Sequence, residues 1–262
     1  MKKKRIASFD LDQTLLDHGT YRIPDSALRA LERLREDFYI VLSTGRDMDT
    51  YYSREYRDIV KPDAIIHMNG TKITVGDELI YEHTMDKGLL KRLFDYADGA
   101  GYAVGVTIGD EDFYLHPEAV KELDIQRWGK CMRRFQDPWQ LLDREVRTLA
   151  YVGREEGALD MENQFPELKF LLFAGRMGAD VVELEASKGK GLIRLCQYYG
   201  TTPEEAVAFG DSMNDYEILQ TAGTGIAMGN AIQELKDVAD YVTTDIEKDG
   251  VWNACEHFGF FR

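Results

Sequence analysis

The 262-residue sequence is poor in cysteine, in basic residues and in long apolar runs, and each shortage excludes a class of protein. Its three cysteines (Cys131, Cys196 and Cys255) are an odd number at wide spacings, which predicts reduced thiols rather than a disulfide framework or a zinc site. The apolar run after the basic start MKKKR is too short for an export signal. No run approaches the roughly 20 apolar residues of a membrane span. We therefore expect a cytoplasmic protein with no membrane partner.

The excess of acidic side chains restricts the possible partners further. Lys and Arg number 32 against 47 Asp and Glu, which gives a net charge of −15. Nucleic acids and anionic membranes are bound through clustered Lys and Arg, so neither is expected as a partner. An anionic small molecule is compatible with this charge, because a bound metal ion can reverse the sign of the potential within a pocket.

What the sequence does contain is an alternation of strand and helix patterns, interrupted once. Up to residue 70, three apolar runs (RIASFDL, YIVLSTG and DAIIHMNG) are separated by helix-like segments, which is typical of a parallel sheet with helical crossovers. The same alternation returns after residue 185, and 44% of the residues are hydrophobic, enough for a sizeable core. We predict an α/β fold with a doubly wound, Rossmann-like parallel-sheet core built from residues 1–83 and 185–262.

The segment between the two halves has a different pattern. KITVGDELIYEH predicts a hairpin around Gly76-Asp77, and from residue 84 a helix followed by paired strands occurs twice. This order is typical of an α+β module with an antiparallel sheet. We expect residues 84–184 to form an inserted α+β domain.

Polar side chains follow four of the predicted strands, at the point where each strand ends. The carboxyl ends of the strands form the ligand-binding edge of an open parallel sheet. The four strand ends are FDLDQT, LSTGR, HMNG and AFGDSMND. They therefore bring one set of oxygen-bearing side chains to a single rim: Asp10, Asp12, Thr44, Asn69, Asp211, Asn214 and Asp215. Carboxylates without His or Cys suit a hard divalent cation such as Mg²⁺ and disfavour zinc.

The same segments resemble the motifs of a known family. DLDQTLL, STGR, SKGKGL and GDSMND, in this order and at these spacings, are similar to the motifs of the haloacid dehalogenase-like superfamily. The C-terminal run that begins GDSMNDYEILQTAG and the segment DGVWNAC resemble its Cof-type phosphatases. The resemblance implies a Mg²⁺-dependent phosphatase that hydrolyses a small phosphorylated metabolite, such as a sugar phosphate, through an aspartyl-phosphate. It also implies that residues 84–184 are a cap over the active rim that excludes water and selects the substrate.

The resemblance further implies a role for each motif residue. Asp10 would be the nucleophile and Asp12 the general acid and base, while Lys188 would neutralise the nucleophile and the transferring group. The phosphate-binding residues would be Leu11, Thr44, Gly45, Lys188 and Asn214. Asp10, the Asp12 carbonyl and Asp211 would ligate Mg²⁺, with Asp215 supporting the metal. Because a nearby carboxylate raises the pKa of a carboxyl group, we expect a raised pKa for Asp12, which would then hold a proton near neutral pH.

Several residues near these motifs have more than one interpretation. Gln13 occupies a position that is commonly Gly in the family, so the turn after the first strand could change or the side chain could reach toward the waters of the metal. His18 and Tyr21 lie in a segment, residues 13–23, that resembles the flap hairpin of the family, and solvated loop positions are favoured over catalytic ones. Asn69-Gly70 is equally compatible with a turn and with a site contact.

Two sets of basic residues also have competing interpretations. The segment QRWGKCMRRF could hold a second anionic group of a substrate, but a solvated helix face is favoured. Its basic and aromatic residues are Arg127, Trp128, Lys130, Arg133 and Arg134. In SKGKGL, Lys188 fits the family spacing better than Lys190, which is expected in solvent at a helix start.

Other activities use the same residue types. A phosphomutase or phosphotransferase of the phosphomannomutase-like type would yield a phosphorylated product instead of free phosphate. A phospho-accepting signalling domain also places acids and a Lys around Mg²⁺, but it has no need of a large module that encloses a substrate. A catalytically silent binding protein would not require the intact acids. Hydrolysis is the favoured interpretation.

Overall fold

The computed structural model describes residues 3–173 and 175–261, without the side chains of residues 51, 52, 127 and 128. Two compact units share the chain: unit 1 runs up to Glu82 and resumes at Ala186, and unit 2 is His83–Glu185. Unit 1 begins with β1 (Arg5–Phe9), α1 (Asp25–Leu34), β2 (Phe38–Ser43), α2 (Tyr51–Val60), β3 (Ala64–His67), β4 (Lys72–Val75) and β5 (Glu78–Glu82). Unit 2 contains α3 (Lys87–Ala100), β6 (Ala103–Ile108), β7 (Glu111–Tyr114), α4 (Pro117–Trp128), β8 (Phe135–Gln136), β9 (Leu149–Val152), α5 (Glu155–Gln164), β10 (Leu168–Leu172) and β11 (Gly178–Glu183). Unit 1 resumes with α6 (Lys188–Tyr199), β12 (Val207–Gly210), α7 (Tyr216–Thr221), β13 (Thr224–Ala227), α8 (Gln233–Lys236), β14 (Tyr241–Val242) and α9 (Gly250–His257).

The sheet of unit 1 has the order β14-β13-β12-β1-β2-β3-β4-β5. Strands β14 to β3 are parallel, and the hairpin β4–β5 extends one edge in antiparallel fashion. The chain moves from β1 toward β3 in one direction and from β12 toward β14 in the other, so right-handed crossovers place helices on both faces. The direction reverses between β1 and β12, which is where doubly wound sheets bind ligands. The predicted doubly wound core is confirmed.

The two central strands are held side by side by buried aromatic packing. Phe9 of β1 is the register partner of Phe209 of β12, and the two rings stack with centroids 4.7 Å apart. Both side chains are almost fully buried. Truncation of such a residue to Ala costs about 3–5 kcal/mol. This packing fixes the two strand ends, and the residues that follow each of them, next to one another.

Unit 2 has its own sheet and its own core. The strand order is β10-β11-β9-β6-β7-β8, antiparallel except for the β7–β8 pair. Leu93, Phe94 and Phe113 are fully buried in its hydrophobic core.

Among the described residues, no helix is long and apolar enough to cross a membrane.

The basic segment of unit 2 is only partly the solvated face that the sequence predicted. Arg133 donates from Nη1 to Asp112 (3.0 Å) and from Nε to Asp124 (2.9 Å). These two carboxylates are buried and need a compensating cation, which explains the position of Arg133. Lys130 and Arg134 are exposed, and the side chains of residues 127 and 128 lie outside the described residues.

A three-residue turn, Met68–Gly70, follows β3 at the carboxyl edge of the sheet. All three residues have positive φ, with values of 46°, 55° and 94°. A Cβ added to Gly70 would lie 2.2 Å from the carbonyl oxygen of Ser187. The turn therefore rests directly on the backbone that leads into α6.

We predict that Gly70→Ala and Gly76→Ala differ sharply in stability. Gly76 has a φ of 53° in the β4–β5 hairpin, and its added Cβ would meet nothing within 4 Å. Gly76→Ala should lower the free energy of unfolding by roughly 1–2 kcal/mol, the cost of a left-handed residue. Gly70→Ala adds a backbone collision and should lose about 2–5 kcal/mol in urea unfolding. Equal losses would contradict the close approach of Gly70 to Ser187.

Candidate functional site

Three carboxylates meet at the point where the sheet reverses direction. Asp10 follows β1, Asp211 follows β12, and Asp215 ends the short turn before α7. Their carboxylate oxygens lie within 4.8 Å of one another. All three side chains are buried, with exposed fractions of 4%, 6% and 0%. Like charges this close, and this far from water, require compensation.

Lys188 supplies part of that compensation. It is the first residue of α6, its side chain is fully buried, and Nζ lies 2.7 Å from Asp10 Oδ1 and 2.7 Å from Asp215 Oδ1. Burial lowers the pKa of Lys188, but the two carboxylates outweigh burial and hold its pKa above the usual range, so it remains a cation. Lys190, two residues further along α6, is partly buried rather than in solvent as the sequence predicted.

One ammonium group does not balance three carboxylates. Burial raises the pKa of Asp10 to about 8, although the charge of Lys188 opposes this. Burial and the charges of Asp10 and Asp215 raise the pKa of Asp211 as well. Asp215 is oriented by the backbone, since its Oδ2 accepts from the N–H groups of Asp211 (3.0 Å) and Ser212 (3.3 Å). A set of buried carboxylate oxygens with surplus negative charge fits a hard divalent cation.

Asp12 lies two residues from Asp10 but has different partners. Arg46 donates from Nε to Asp12 Oδ2 (2.8 Å) and from Nη2 to Oδ1, and His18 Nε2 lies 2.7 Å from Oδ1. Burial raises the pKa of Asp12, but the hydrogen bond from His18 and the charge of Arg46 outweigh burial and lower it to about 2. The expectation of a raised pKa is wrong in this arrangement, because the nearest partners of Asp12 are donors and a cation rather than carboxylates.

The segment after Asp12 contains Gln13 and His18, two residues for which the sequence left more than one interpretation open. Gln13 has a φ of 60°, so the turn keeps a conformation that favours Gly. Its Oε1 accepts from the N–H of His18 (3.1 Å), and its carbonyl accepts from Asn230 Nδ2 (2.8 Å). His18 therefore contacts a candidate catalytic residue and is not only a solvated loop residue. Tyr21 is 49% exposed.

Apart from Lys188 at the start of α6, the predicted phosphate-binding residues lie at the ends of β1 and β2 and before α7. Thr44 is fully buried, and its Oγ1 accepts from the N–H of Arg46 (3.1 Å), while Gly45 is partly buried. The side chain of Leu11 is in the hydrophobic core, so only its backbone is available to a ligand. Asn214 donates from Nδ2 to Oδ1 of Asn69 (3.0 Å), which is fully buried. Asn69 is therefore both a turn residue and a neighbour of the site.

Arg46 and His18 are the partners that sequence reasoning missed. The signal for Arg46 was present, since it stands two residues after Thr44 in STGR, and paired acids at a strand end need a cation nearby. The sequence contains no comparable signal for His18, because its contact with Asp12 depends on how the chain turns back after β1.

A second acidic group, Asp47 and Asp49 with His67, is arranged as an ion-pair network. Nδ1 of His67 accepts from the N–H of Met48 (3.1 Å), and its Nε2 pairs with Thr74 Oγ1 (3.1 Å). Nζ of Lys72 binds both carboxylates. The ring nitrogens and the acids thus already have partners, which disfavours a metal there.

The chain is similar over its length to known phosphatases. The family model for haloacid dehalogenase-like hydrolases matches residues 7–255. The HMP-PP phosphatase of Klebsiella pneumoniae (strain 342) is 30% identical over 88% of this chain and 86% of that protein. The 5-amino-6-(5-phospho-D-ribitylamino)uracil phosphatase YitU of Bacillus subtilis (strain 168) is 27% identical over 95% of each.

Solved structures give the same result. The subclass IIB sugar phosphatase BT4131 is 28% identical, with a TM-score of 0.89 over 98% of this chain and 100% of that chain. The phosphatase BT1666 from Bacteroides thetaiotaomicron is 25% identical, with a TM-score of 0.90 over 99% and 97%. The resemblance inferred from the four motifs is confirmed. The chain belongs to the haloacid dehalogenase-like hydrolases and is a phosphatase of the Cof type.

Proposed function

We propose that this phosphatase hydrolyses a small phosphorylated metabolite, with sugar phosphates as the leading class, through an aspartyl-phosphate on Asp10 and with Mg²⁺ as its cofactor. The observation that carries the proposal is the buried group of Asp10, Asp211 and Asp215 around Lys188 at the reversal point of the sheet. The names of BT4131, a sugar phosphatase, and of the relatives above support the substrate class.

In the first step, a carboxylate oxygen of Asp10 attacks phosphorus, and the bond from phosphorus to the ester oxygen breaks. Asp12, as general acid, gives its proton to the leaving oxygen. Asp12 then takes a proton from water as that water attacks phosphorus, which releases phosphate and restores Asp10. The nucleophile and the substrate are both anions, and unit charges 4 Å apart repel by about 4 kcal/mol at an effective dielectric near 20. Lys188, which contacts Asp10, offsets this repulsion.

Mg²⁺ held by Asp10, the Asp12 carbonyl, Asp211 and Asp215 would supply further positive charge against the phosphoryl oxygens. Thr44, Gly45, Asn214 and the backbone of Leu11 bind those oxygens in this proposal. Positioning and charge stabilisation account for most of the catalysis of phosphoryl transfer. In this proposal the residues named above, with the metal ion, provide both.

Asp12 changes its contacts during this cycle. With Arg46 and His18 bound it is ionised, the form that accepts a proton from water. The acid form requires those two contacts to loosen, which makes Arg46 and His18 positioning residues for proton transfer.

We propose in addition that unit 2 selects the substrate. The cytoplasmic setting stays a prediction from the sequence.

Asp10→Asn is expected to fold and to lose turnover by at least about 10⁴-fold, the scale seen when a nucleophile is removed. The amide has nearly the same shape but is not a nucleophile, and it cannot ionise within this crowded group of carboxylates. Released phosphate is measured with a panel of phosphorylated metabolites and an aryl phosphate. Asp58→Asn, at a side chain that is 67% exposed, is the matched control. Activity of Asp10→Asn within tenfold of the control would exclude Asp10 as the nucleophile.

Asp12→Asn should distinguish substrates by their leaving groups. An alkoxide leaves poorly without a proton, whereas a nitrophenolate leaves without help. We expect a loss of about 10²–10⁴-fold for alkyl phosphates, the typical contribution of general acid catalysis, and a smaller loss in the first step for nitrophenyl phosphate. Single-turnover release of each leaving group is the measurement. The same loss for both would argue against Asp12 as the acid.

The metal-free protein should become less stable as pH rises from about 4 toward about 8. The raised pKa values mean that folded Asp10 and Asp211 keep protons that the unfolded chain releases above about pH 4. Each group contributes a slope of up to about 1.4 kcal/mol per pH unit, and the loss is complete above the folded pKa. Mg²⁺ binds the ionised form, so it should raise stability at pH 8 and flatten the slope.

Urea unfolding at several pH values, in chelator and in Mg²⁺, measures this dependence. Asp211→Asn removes one of the two groups, so it should have a shallower slope in chelator and gain less from Mg²⁺. An unchanged slope in Asp211→Asn, or no stabilisation of the wild-type protein by Mg²⁺, would contradict the assignment of a cation to these carboxylates.

A further inference from the structure

The turn Met68–Gly70 is not part of the four motifs, yet its backbone is bound to one of them. The N–H of Met68 donates to the carbonyl of Arg46 (3.1 Å), and the N–H of Asn69 donates to the carbonyl of Thr44 (3.0 Å). These bonds fix the turn to the STGR loop, whose Thr44 is a proposed phosphate-binding residue. Since Gly70 also rests on Ser187, the turn is fixed to the residue before Lys188 as well.

The side chain of Asn69 makes a third connection, to Asn214. Nδ2 of Asn214 donates to Oδ1 of Asn69 (3.0 Å), and Oδ1 of Asn214 accepts from Ser212 Oγ (2.8 Å). Both ends of the Asn214 amide are therefore held. An amide nitrogen carries two hydrogens, so the bond to Asn69 leaves the second one for an anionic oxygen.

We propose that Asn69 is a positioning residue for Asn214: its buried carbonyl oxygen fixes the amide so that an N–H group faces the phosphoryl oxygens. Without this acceptor the remaining partner of the amide is Ser212 Oγ. A hydroxyl can accept as well as donate, so the amide can then rotate by half a turn and present its own oxygen, which repels an anion. The inference rests on the proposed function, because it takes phosphoryl binding by Asn214 as its starting point.

The backbone explains why this position is occupied by Asn. Residue 69 has φ 55° and ψ 33°, in the left-handed region that Asn tolerates better than most residues with a side chain. Gly would also accept this backbone, but it has no side-chain acceptor. Asn69 is fully buried, so water does not readily replace its oxygen as a partner of Asn214.

A double-mutant cycle with Asn69→Gly and Asn214→Ala tests the inference. Glycine keeps the left-handed backbone and removes the side chain of Asn69, including the oxygen that accepts from Asn214. In the otherwise unchanged protein, Asn69→Gly should lower kcat/KM for an aryl phosphate and weaken inhibition by inorganic phosphate, each about tenfold, the effect of one lost hydrogen bond. In the Asn214→Ala background the same change should have less than about a twofold effect, because the residue that it acts through is absent.

Lys61→Gly is the matched control. Lys61 is an exposed left-handed residue (φ 51°) after α2, so this variant adds the same backbone freedom at another site. Losses for Asn69→Gly that are equal in both backgrounds, or no greater than those for Lys61→Gly, would overturn the inference. A protein that hydrolyses no phosphate ester and binds no phosphate would instead refute the proposed function, and this inference with it.

A second measurement needs no change at Asn69 and serves if its glycine variant does not fold. The side-chain amide signals of Asn214 are assigned in the ¹⁵N spectrum by their loss in Asn214→Ala. One of the two amide hydrogens should exchange slowly with water before phosphate is added, and inorganic phosphate should shift mainly the other. Fast exchange of both hydrogens in the phosphate-free protein would overturn the inference.

Discussion

The burial of three carboxylates around one ammonium group is the constraint on which the site depends. Asp10, Asp211 and Asp215 come from segments of the chain separated by about 200 residues, and only a packed sheet brings them within 4.8 Å. Lys188 joins two of them, so the start of α6 must lie under the ends of β1 and β12. The short contact of Gly70 with Ser187 and the stacking of Phe9 on Phe209 hold these segments in place. The core thus stabilises an arrangement of charges that is unfavourable by itself.

The part of this arrangement that follows from strand order could be predicted from the sequence. Apolar runs that end in Asp10 and Asp211 predict parallel strands, and the carboxyl ends of parallel strands lie along one edge. The motif spacing then indicates which lysine and which asparagine accompany them. The strand ends follow from a regular periodicity, and regular elements are what sequence patterns predict best. The choice of Lys188 and Asn214 follows from the resemblance to the family motifs.

The contacts of the turns could not be predicted in the same way. The contact of Arg46 and His18 with Asp12 depends on the path of residues 13–22, and that of Asn69 with Asn214 depends on three successive residues with positive φ. Such conformations are set by tertiary contacts and not by local propensity. The misjudged pKa of Asp12 has the same origin. The two nearest partners of Asp12 come from a turn and from the neighbouring strand end. The expectation of a raised pKa was instead based on Asp10, which is close to Asp12 in the sequence.

The two acids of DLDQTLL differ because their surroundings differ. Asp10 is buried beside other carboxylates, which favours its protonated form, whereas Asp12 is bound by Arg46 and His18, which favours its ionised form. For hydrolysis by the proposed route these two states must be exchanged: the nucleophile must be ionised and the acid protonated. A divalent cation among the carboxylates favours the ionised form of Asp10 strongly, since it adds two positive charges where one ammonium is insufficient. In the proposed route, cation binding and the release of Asp12 from Arg46 and His18 would therefore be the two changes that convert this arrangement of charges into a catalytic one.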